Sequence, residues 1–122
     1  MNKKILIIDD ANDIAEAFKK QLDLSGGYDT DIANGGKQGL EMISGNSYDL
    51  VLLDLVMPEV DGIEVLSSLK KSPETYQNVP VIVLTNVTSA DTRKEVEDLG
   101  VAGFIVKTDT DIDVVIGEFF NK

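Results

Sequence analysis

Short apolar runs alternate with segments of helical spacing along the whole chain. The runs 5–8, 50–53 and 81–84 are apolar at every position, which is typical of strands buried on both faces. The segment 28–33 instead alternates larger side chains with aspartates, and 104–106 is short. These two segments are predicted to be edge strands, whereas the three apolar runs are predicted to lie in the middle of a sheet.

The segments between these strands place apolar residues three or four positions apart, which predicts amphipathic helices. Asn12 is predicted to cap the first helix, and Asp61 and Glu64 have capping-box spacing at the start of the third. The second helix is predicted to follow 34–36, the fourth to cover 89–99, and the fifth to begin near Thr110. The segment 73–80 is predicted to be a loop.

Strict alternation of strands and helices predicts one α/β domain over residues 1–122. Five strand–helix units with right-handed crossovers form a doubly wound, five-stranded parallel sheet with helices on both faces. The order 2-1-3-4-5, which is the flavodoxin-like (βα)5 arrangement, satisfies this placement of the apolar strands in the middle.

Composition removes several classes of chemistry and partner. The 122 residues include neither cysteine nor histidine, which excludes disulfides, thiol chemistry and histidine-based catalysis or metal binding. The net charge is −11, so direct binding to nucleic acid or to anionic membranes is not expected. No segment has the length of a transmembrane helix. The sequence therefore predicts a cytoplasmic protein.

Polar residues stand at the carboxyl ends of the predicted strands. Strand one ends in Asp9 and Asp10, strand three in Asp54, strand four in Thr85 and strand five in Lys107. Each taken alone has an ordinary explanation, such as a cap, a turn, a strand residue or a solvated lysine. In a 2-1-3-4-5 sheet, however, the ligand crevice lies between strands one and three, where the three carboxylates are expected to meet.

Carboxylates placed this close repel one another, and a bound cation removes that cost. A site with only oxygen ligands favours a hard ion, most simply Mg²⁺. A carboxylate beside Mg²⁺, with a threonine and a lysine to contact phosphoryl oxygens, is suited to accept a phosphoryl group.

The same stretches carry a resemblance to a known family. The aspartates after strand one, the segment 49–58 followed by Asp61 and Gly62, the segment 80–85 and the segment 103–107 together resemble the response-regulator receiver domain, which is CheY-like. The resemblance covers the whole chain. It implies a phosphoacceptor signalling domain of a two-component system rather than an enzyme.

The resemblance implies a role for each site residue. Asp54 is expected to be phosphorylated by a histidine kinase or a small phosphodonor. Asp10, Asp54 and the backbone carbonyl of Val56 are expected to hold Mg²⁺, with Asp9 acting through water.

Three further residues are expected to respond to the phosphoryl group. Lys107 would pair with it, Thr85 would move to hydrogen-bond it, and Phe104 would turn inward behind the threonine. The change would reach the surface of helix 4, strand 5 and helix 5. A downstream effector or a second copy of the chain would bind there, and the phosphoryl group would come from a kinase or a phosphotransfer protein.

Four positions depart from the usual pattern of that family. Thr108 stands where proline is usual and Asn86 where a small residue is usual, which bears on the reach of Lys107 and on access to the phosphoryl group. Val56 and Val87 are apolar where rapidly dephosphorylating members tend to be polar. This difference predicts slow self-dephosphorylation.

Other functions remain open on the sequence. A receiver-fold interaction module that is never phosphorylated is the main alternative. A Mg²⁺-dependent phosphohydrolase is disfavoured because its usual second catalytic aspartate would fall at Val56. A flavin site is disfavoured because an acidic loop follows strand one. The spacing of Gly35, Gly36 and Gly39 does not fit a dinucleotide site.

Overall fold

The computed structural model describes residues 2–57, 59–85, 89–106 and 111–121. Its five strands form a single parallel sheet in the order β2-β1-β3-β4-β5. The strands are β1 (Lys3–Ile8), β2 (Tyr28–Ala33), β3 (Leu50–Asp54), β4 (Val81–Thr85) and β5 (Gly103–Val106). The predicted fold, strand order and edge strands are thus confirmed.

The helices follow the predicted alternation, with one addition. They are α1 (Asn12–Ser25), α2 (Gly36–Gly45), α3 (Gly62–Lys71), α4 (Pro73–Tyr76), α5 (Ala90–Asp98) and α6 (Ile112–Phe120). Among the described residues, no helix is both long and apolar enough to cross a membrane.

The short helix α4 lies where the sequence predicted only a loop. Pro73 occupies its first position, where the fixed φ of proline suits a helix and its missing N–H is not needed. Gln77 and Asn78 then adopt positive φ values of 60° and 50° and end the helix. A single helical turn has too few positions to show a hydrophobic period, so the pattern of 73–80 did not reveal it.

The two predicted helix caps had different outcomes. Asp61 is confirmed, since its Oδ1 accepts a hydrogen bond of 2.9 Å from the Glu64 backbone N–H. The Asn12 cap was wrong, because Asn12 is already helical and the cap position is Ala11. The side chain of Asp9 sets this turn instead, by accepting a hydrogen bond of 3.0 Å from the Ala11 N–H.

The sheet separates two hydrophobic layers. Alternate residues of β1, β3 and β4 point to opposite faces, where one set packs beneath α2, α3 and α5 and the other beneath α1 and α6. Every residue of β3 and β4 is buried. This burial fixes the register of the central strands, because a one-residue slip would turn each apolar set to the wrong face. The carboxyl ends of β1 and β3 are thereby held side by side.

Candidate functional site

Three carboxylates meet at the carboxyl edge of the sheet, where the sequence placed them. The side chains of Asp9, Asp10 and Asp54 each bring an oxygen within 4.8 Å of the other two. Asp9 is fully buried and Asp54 is 7% exposed, while Asp10 is exposed. Two carboxylates of the cluster are therefore shielded from solvent, while the third leaves one side open. This arrangement suits a site that must admit a charged ligand.

The β1–β3 pairing brings this cluster together. Ile8 lies beside Leu53 in the parallel register, so Asp9, which follows β1, and Asp54, the last residue of β3, emerge at the same level. The Asp9 N–H donates to the Ala33 carbonyl at 3.1 Å, which extends the ladder between β1 and β2 by one residue. Asp9 is consequently held by backbone pairing as well as by its side-chain bond to Ala11.

The loop after β3 folds back on the Asp54 side chain. The Val56 N–H donates to Asp54 Oδ1 at 3.3 Å, and the side chain of Val56 is 81% exposed. The Gly62 N–H donates to the Leu55 carbonyl at 3.0 Å, which closes the loop onto the start of α3. Asp54 thus lies at a turn whose backbone is held at both ends.

Thr85 and Phe104 lie on the same face of the sheet. Thr85 pairs with Val106, and Val83 pairs with Phe104, so the two predicted switch residues are diagonal neighbours on adjacent parallel strands. Thr85 is buried and Phe104 is half-buried. The structure therefore places a buried hydroxyl and an aromatic ring on one face, with Thr85 at the carboxyl end of β4.

Lys107 and the departures at Asn86, Val87 and Thr108 lie outside the described residues. β5 ends at Val106, which pairs with Thr85 of β4. Lys107 is the next residue in the sequence. The predicted roles of these four residues stay predictions.

Two features near the site were not predicted from the sequence. A cavity of about 240 Å³ opens beside Asp10, between the loop before α2 and the loop after β3, and is also lined by Asn34, Lys37 and Glu59. The guanidinium carbon of Arg93 lies 4.5 Å from the centroid of the Phe104 ring. Both depend on loop paths and helix packing, so no local sequence pattern signals them.

A larger cavity of about 390 Å³ lies away from this edge, between the end of α3 and the start of β4. Its lining includes Leu66, Leu69, Lys70 and Leu99. None of the described residues that line it carries a carboxylate or a hydroxyl group.

The 2-1-3-4-5 sheet with aspartates at its carboxyl edge belongs to the doubly wound, flavodoxin-like class of α/β domains. Residues 5–115 match the family model of the response regulator receiver domain, and the chain belongs to that family. It is a receiver domain of the two-component response regulators, a class of domain that is generally not an enzyme.

Several curated proteins are similar to the chain. The response regulator ArlR of Staphylococcus saprophyticus is 37% identical over 106 residues, which cover 85% of this chain and 45% of that protein. MprA of Mycobacterium ulcerans is 33% identical over 107 residues, which cover 88% and 44%. The sensor kinase/phosphatase CqsS of Vibrio cholerae is 34% identical over 116 residues, which cover 95% and 17%. The chain thus spans less than half the length of these relatives.

Solved structures share the fold over almost the entire chain. The receiver domain of the Francisella response regulator 1452 superposes with a TM-score of 0.84 at 32% identity, covering 98% of this chain and 95% of that one. The chemotaxis protein CheY4 of Vibrio cholerae superposes with a TM-score of 0.86 at 23% identity, covering 98% of both chains. The likeness to CheY4 concerns the fold alone.

Proposed function

We propose that this chain is the phosphoacceptor domain of a two-component pathway and that Asp54 is the residue phosphorylated. The observation that carries the proposal is the meeting of three carboxylates from two strand ends within 4.8 Å. Asp54 is the member of the cluster that ends a fully buried strand. Its carboxylate is held by a rigid element while one side of the site stays open to a donor.

The donor is the phosphohistidine of a histidine kinase or a phosphotransfer protein, or a small phosphodonor. A carboxylate oxygen of Asp54 attacks phosphorus, and an O–P bond forms while the bond to the donor breaks. With phosphohistidine, the departing nitrogen keeps the electron pair of the broken bond and takes up a proton. The chain's contribution is to position this carboxylate and to balance charge, which is most of what catalyses such transfers.

The donor set of the cluster fits Mg²⁺. Only oxygen atoms are offered, and the chain has no histidine or cysteine to favour a softer ion. Asp10, Asp54 and the carbonyl of Val56 would hold the ion, and Asp9 would act through water. When bound, Mg²⁺ supplies positive charge that offsets the carboxylates and the phosphoryl oxygens.

The new phosphoryl group changes the site through charge and hydrogen bonding. Phosphorylation adds a charge of about −1.5 to −2 and three acceptor oxygens. Lys107 pairs with the group, the Thr85 hydroxyl donates to it, and Phe104 turns inward behind the threonine. Because Thr85 and Phe104 share one face of the sheet, a movement of one side chain can change the packing of the other.

The output surface comprises α5, β5 and α6, which are the helix 4, strand 5 and helix 5 of the sequence prediction. Two apolar side chains are exposed on these elements, Val106 at 37% and Val114 at 52%. The domain acts in the cytoplasm as a single unit over residues 1–122.

An enzymatic alternative has less support. A phosphohydrolase that used Asp54 as its nucleophile would need a general acid close by, and the residue two positions later is the exposed, apolar Val56. The alternative of a receiver-fold module that is never phosphorylated leaves the clustering of the carboxylates without a function.

A mass measurement tests the proposal. The protein incubated with acetyl phosphate and Mg²⁺ should gain about 80 Da, the mass of one phosphoryl group, and Asp54→Asn should abolish the gain. Asp98→Asn, which removes an exposed carboxylate on α5, is the matched control and should retain it. An unmodified wild type would contradict the proposal, and continuous phosphate release without an adduct would indicate the hydrolase.

A further inference from the structure

Arg93 contacts the aromatic ring that is proposed to report phosphorylation. Its guanidinium carbon lies 4.5 Å from the centroid of Phe104, within the range of a cation–π contact. Arg93 belongs to α5 and Phe104 to β5, so the contact joins two elements of the output surface. Arg93 is also the only arginine of the chain.

The surroundings of the contact leave part of the ring at the surface. Phe104 is half-buried against the layer beneath α5, and the Arg93 side chain is 59% exposed. The Arg93 Nε lies 4.0 Å from Glu97 Oε1 one helical turn away. The guanidinium is therefore held between a carboxylate and the accessible part of the ring, and an inward rotation of Phe104 would break the ring contact.

The backbone of Arg93 is held at the start of α5. The Ser89 side chain caps α5 by accepting from the Thr92 N–H at 3.2 Å, and the Arg93 N–H donates to the Ser89 carbonyl at 3.0 Å. Arg93 thus belongs to the first turn of a helix that begins five residues after Thr85.

We infer that Arg93 is a positioning residue that holds Phe104 at the surface in the unphosphorylated state and so opposes the switch. The inference rests on the proposed function. A contact made in only one of two states biases the equilibrium by its own interaction free energy. A partly exposed cation–π contact corresponds to about a two- to five-fold effect on such an equilibrium. Loss of Arg93 should therefore raise the affinity for a phosphoryl analogue by about that factor.

Calorimetric titration of the 122-residue chain with beryllofluoride in the presence of Mg²⁺ measures this affinity. Arg93→Ala should bind about two- to five-fold more tightly than wild type. Lys94→Ala removes the same charge from the neighbouring, exposed position and should leave the affinity unchanged. Arg93→Lys keeps the charge but loses the planar group that stacks on a ring, so its affinity should lie between those of wild type and Arg93→Ala.

A double-mutant cycle isolates the contact from other effects of Arg93. In Phe104→Leu there is no ring for the guanidinium to hold. Adding Arg93→Ala to that background should therefore leave the beryllofluoride affinity unchanged. An equal gain in both backgrounds would overturn the inference, because Arg93 would then act without Phe104.

The single arginine gives a direct spectroscopic readout. The Nε–Hε resonance of Arg93 is the only arginine side-chain signal of this kind, and the ring current of Phe104 should shift it. Saturating beryllofluoride should move that resonance toward its position in Phe104→Leu. Wild type could instead bind beryllofluoride with the same affinity as Arg93→Ala and show no change in the Arg93 resonance. That result would overturn the inference and leave the proposed function standing. Absence of Mg²⁺-dependent binding would overturn the proposed function and the inference together.

Discussion

Gly62 lies against the backbone carbonyl of Asp54. A Cβ atom at position 62 would come within 2.6 Å of the Asp54 carbonyl oxygen and of the Leu55 Cα. The first helical residue of α3 therefore packs directly on the turn that carries the proposed phosphoacceptor. Only a residue without a side chain allows this approach.

Gly62→Ala is expected to disturb that turn. The added methyl group meets backbone rather than a movable side chain, so the free energy of unfolding should fall by about 1–3 kcal/mol. The yield of phosphorylated protein with acetyl phosphate should fall as well. Urea unfolding and intact mass measure the two effects.

Gly45→Ala provides the matched control, since a Cβ at this last residue of α2 meets nothing within 4 Å. It should be neutral or stabilising by up to about 1 kcal/mol. Equal stabilities of the two variants would contradict the close approach at Gly62.

Cation binding should reveal the mutual repulsion of the three carboxylates. Mg²⁺ at ten times its Kd should stabilise the wild type by about 1.4 kcal/mol. Asp10→Asn removes one charge of the cluster, so it should be more stable than wild type without the metal and should gain less from it. Thermal unfolding with and without Mg²⁺ measures both quantities.

Glu16→Gln removes an exposed charge from α1 and should keep the full response to Mg²⁺. The interpretation of the cluster as a metal site would be wrong if Asp10→Asn responded as strongly as Glu16→Gln.

The exposed side chain of Val56 should affect how long the phosphoryl group survives. Valine has no donor or acceptor with which to orient an attacking water molecule. Val56→Asn supplies both next to Asp54, and phosphoryl loss is expected to accelerate by about tenfold. The decay of the phosphorylated mass with time measures the rate.

Leu24→Asn is the corresponding control, since Leu24 is 80% exposed at the far end of α1. It should leave the half-life unchanged. If Val56→Asn and Leu24→Asn decayed alike, Val56 would have no role in the lifetime.

The buried Tyr48 should make stability sensitive to alkaline pH. Burial, together with a 2.7 Å hydrogen bond that its hydroxyl donates to Asp31, raises the pKa of Tyr48 above its ordinary value. The folded state thus favours the neutral phenol. Its stabilising contribution is complete below the unfolded pKa of about 10 and is lost as the pH rises from there toward the folded pKa.

Tyr48→Phe removes both the bond and the titration. It should cost about 1 kcal/mol at neutral pH, and the difference from wild type should shrink above about pH 10. Urea unfolding at neutral and alkaline pH tests this, with Tyr76→Phe, at a half-buried tyrosine of α4, as the control. Parallel pH profiles for wild type and Tyr48→Phe would contradict it.

The sequence by itself determined the architecture and the members of the carboxylate cluster. Strands that are apolar at every position lie inside a sheet covered on both faces, which places β1, β3 and β4 in its middle and leaves β2 and β5 at the edges. Residues at the carboxyl ends of parallel strands emerge at one edge, so the sequence predicts that Asp9, Asp10 and Asp54 meet there.

Only the tertiary structure decided the details that depend on how separate elements approach one another. The side chain of Asp9, rather than Asn12, sets the start of α1, because the path of the loop decides which oxygen reaches the Ala11 N–H. The contact of Arg93 with Phe104 joins residues of different elements, and its geometry is set by the packing of α5 on β5. Local sequence carries helical and strand periods but not the relative placement of packed elements, so this contact appears only in the folded molecule.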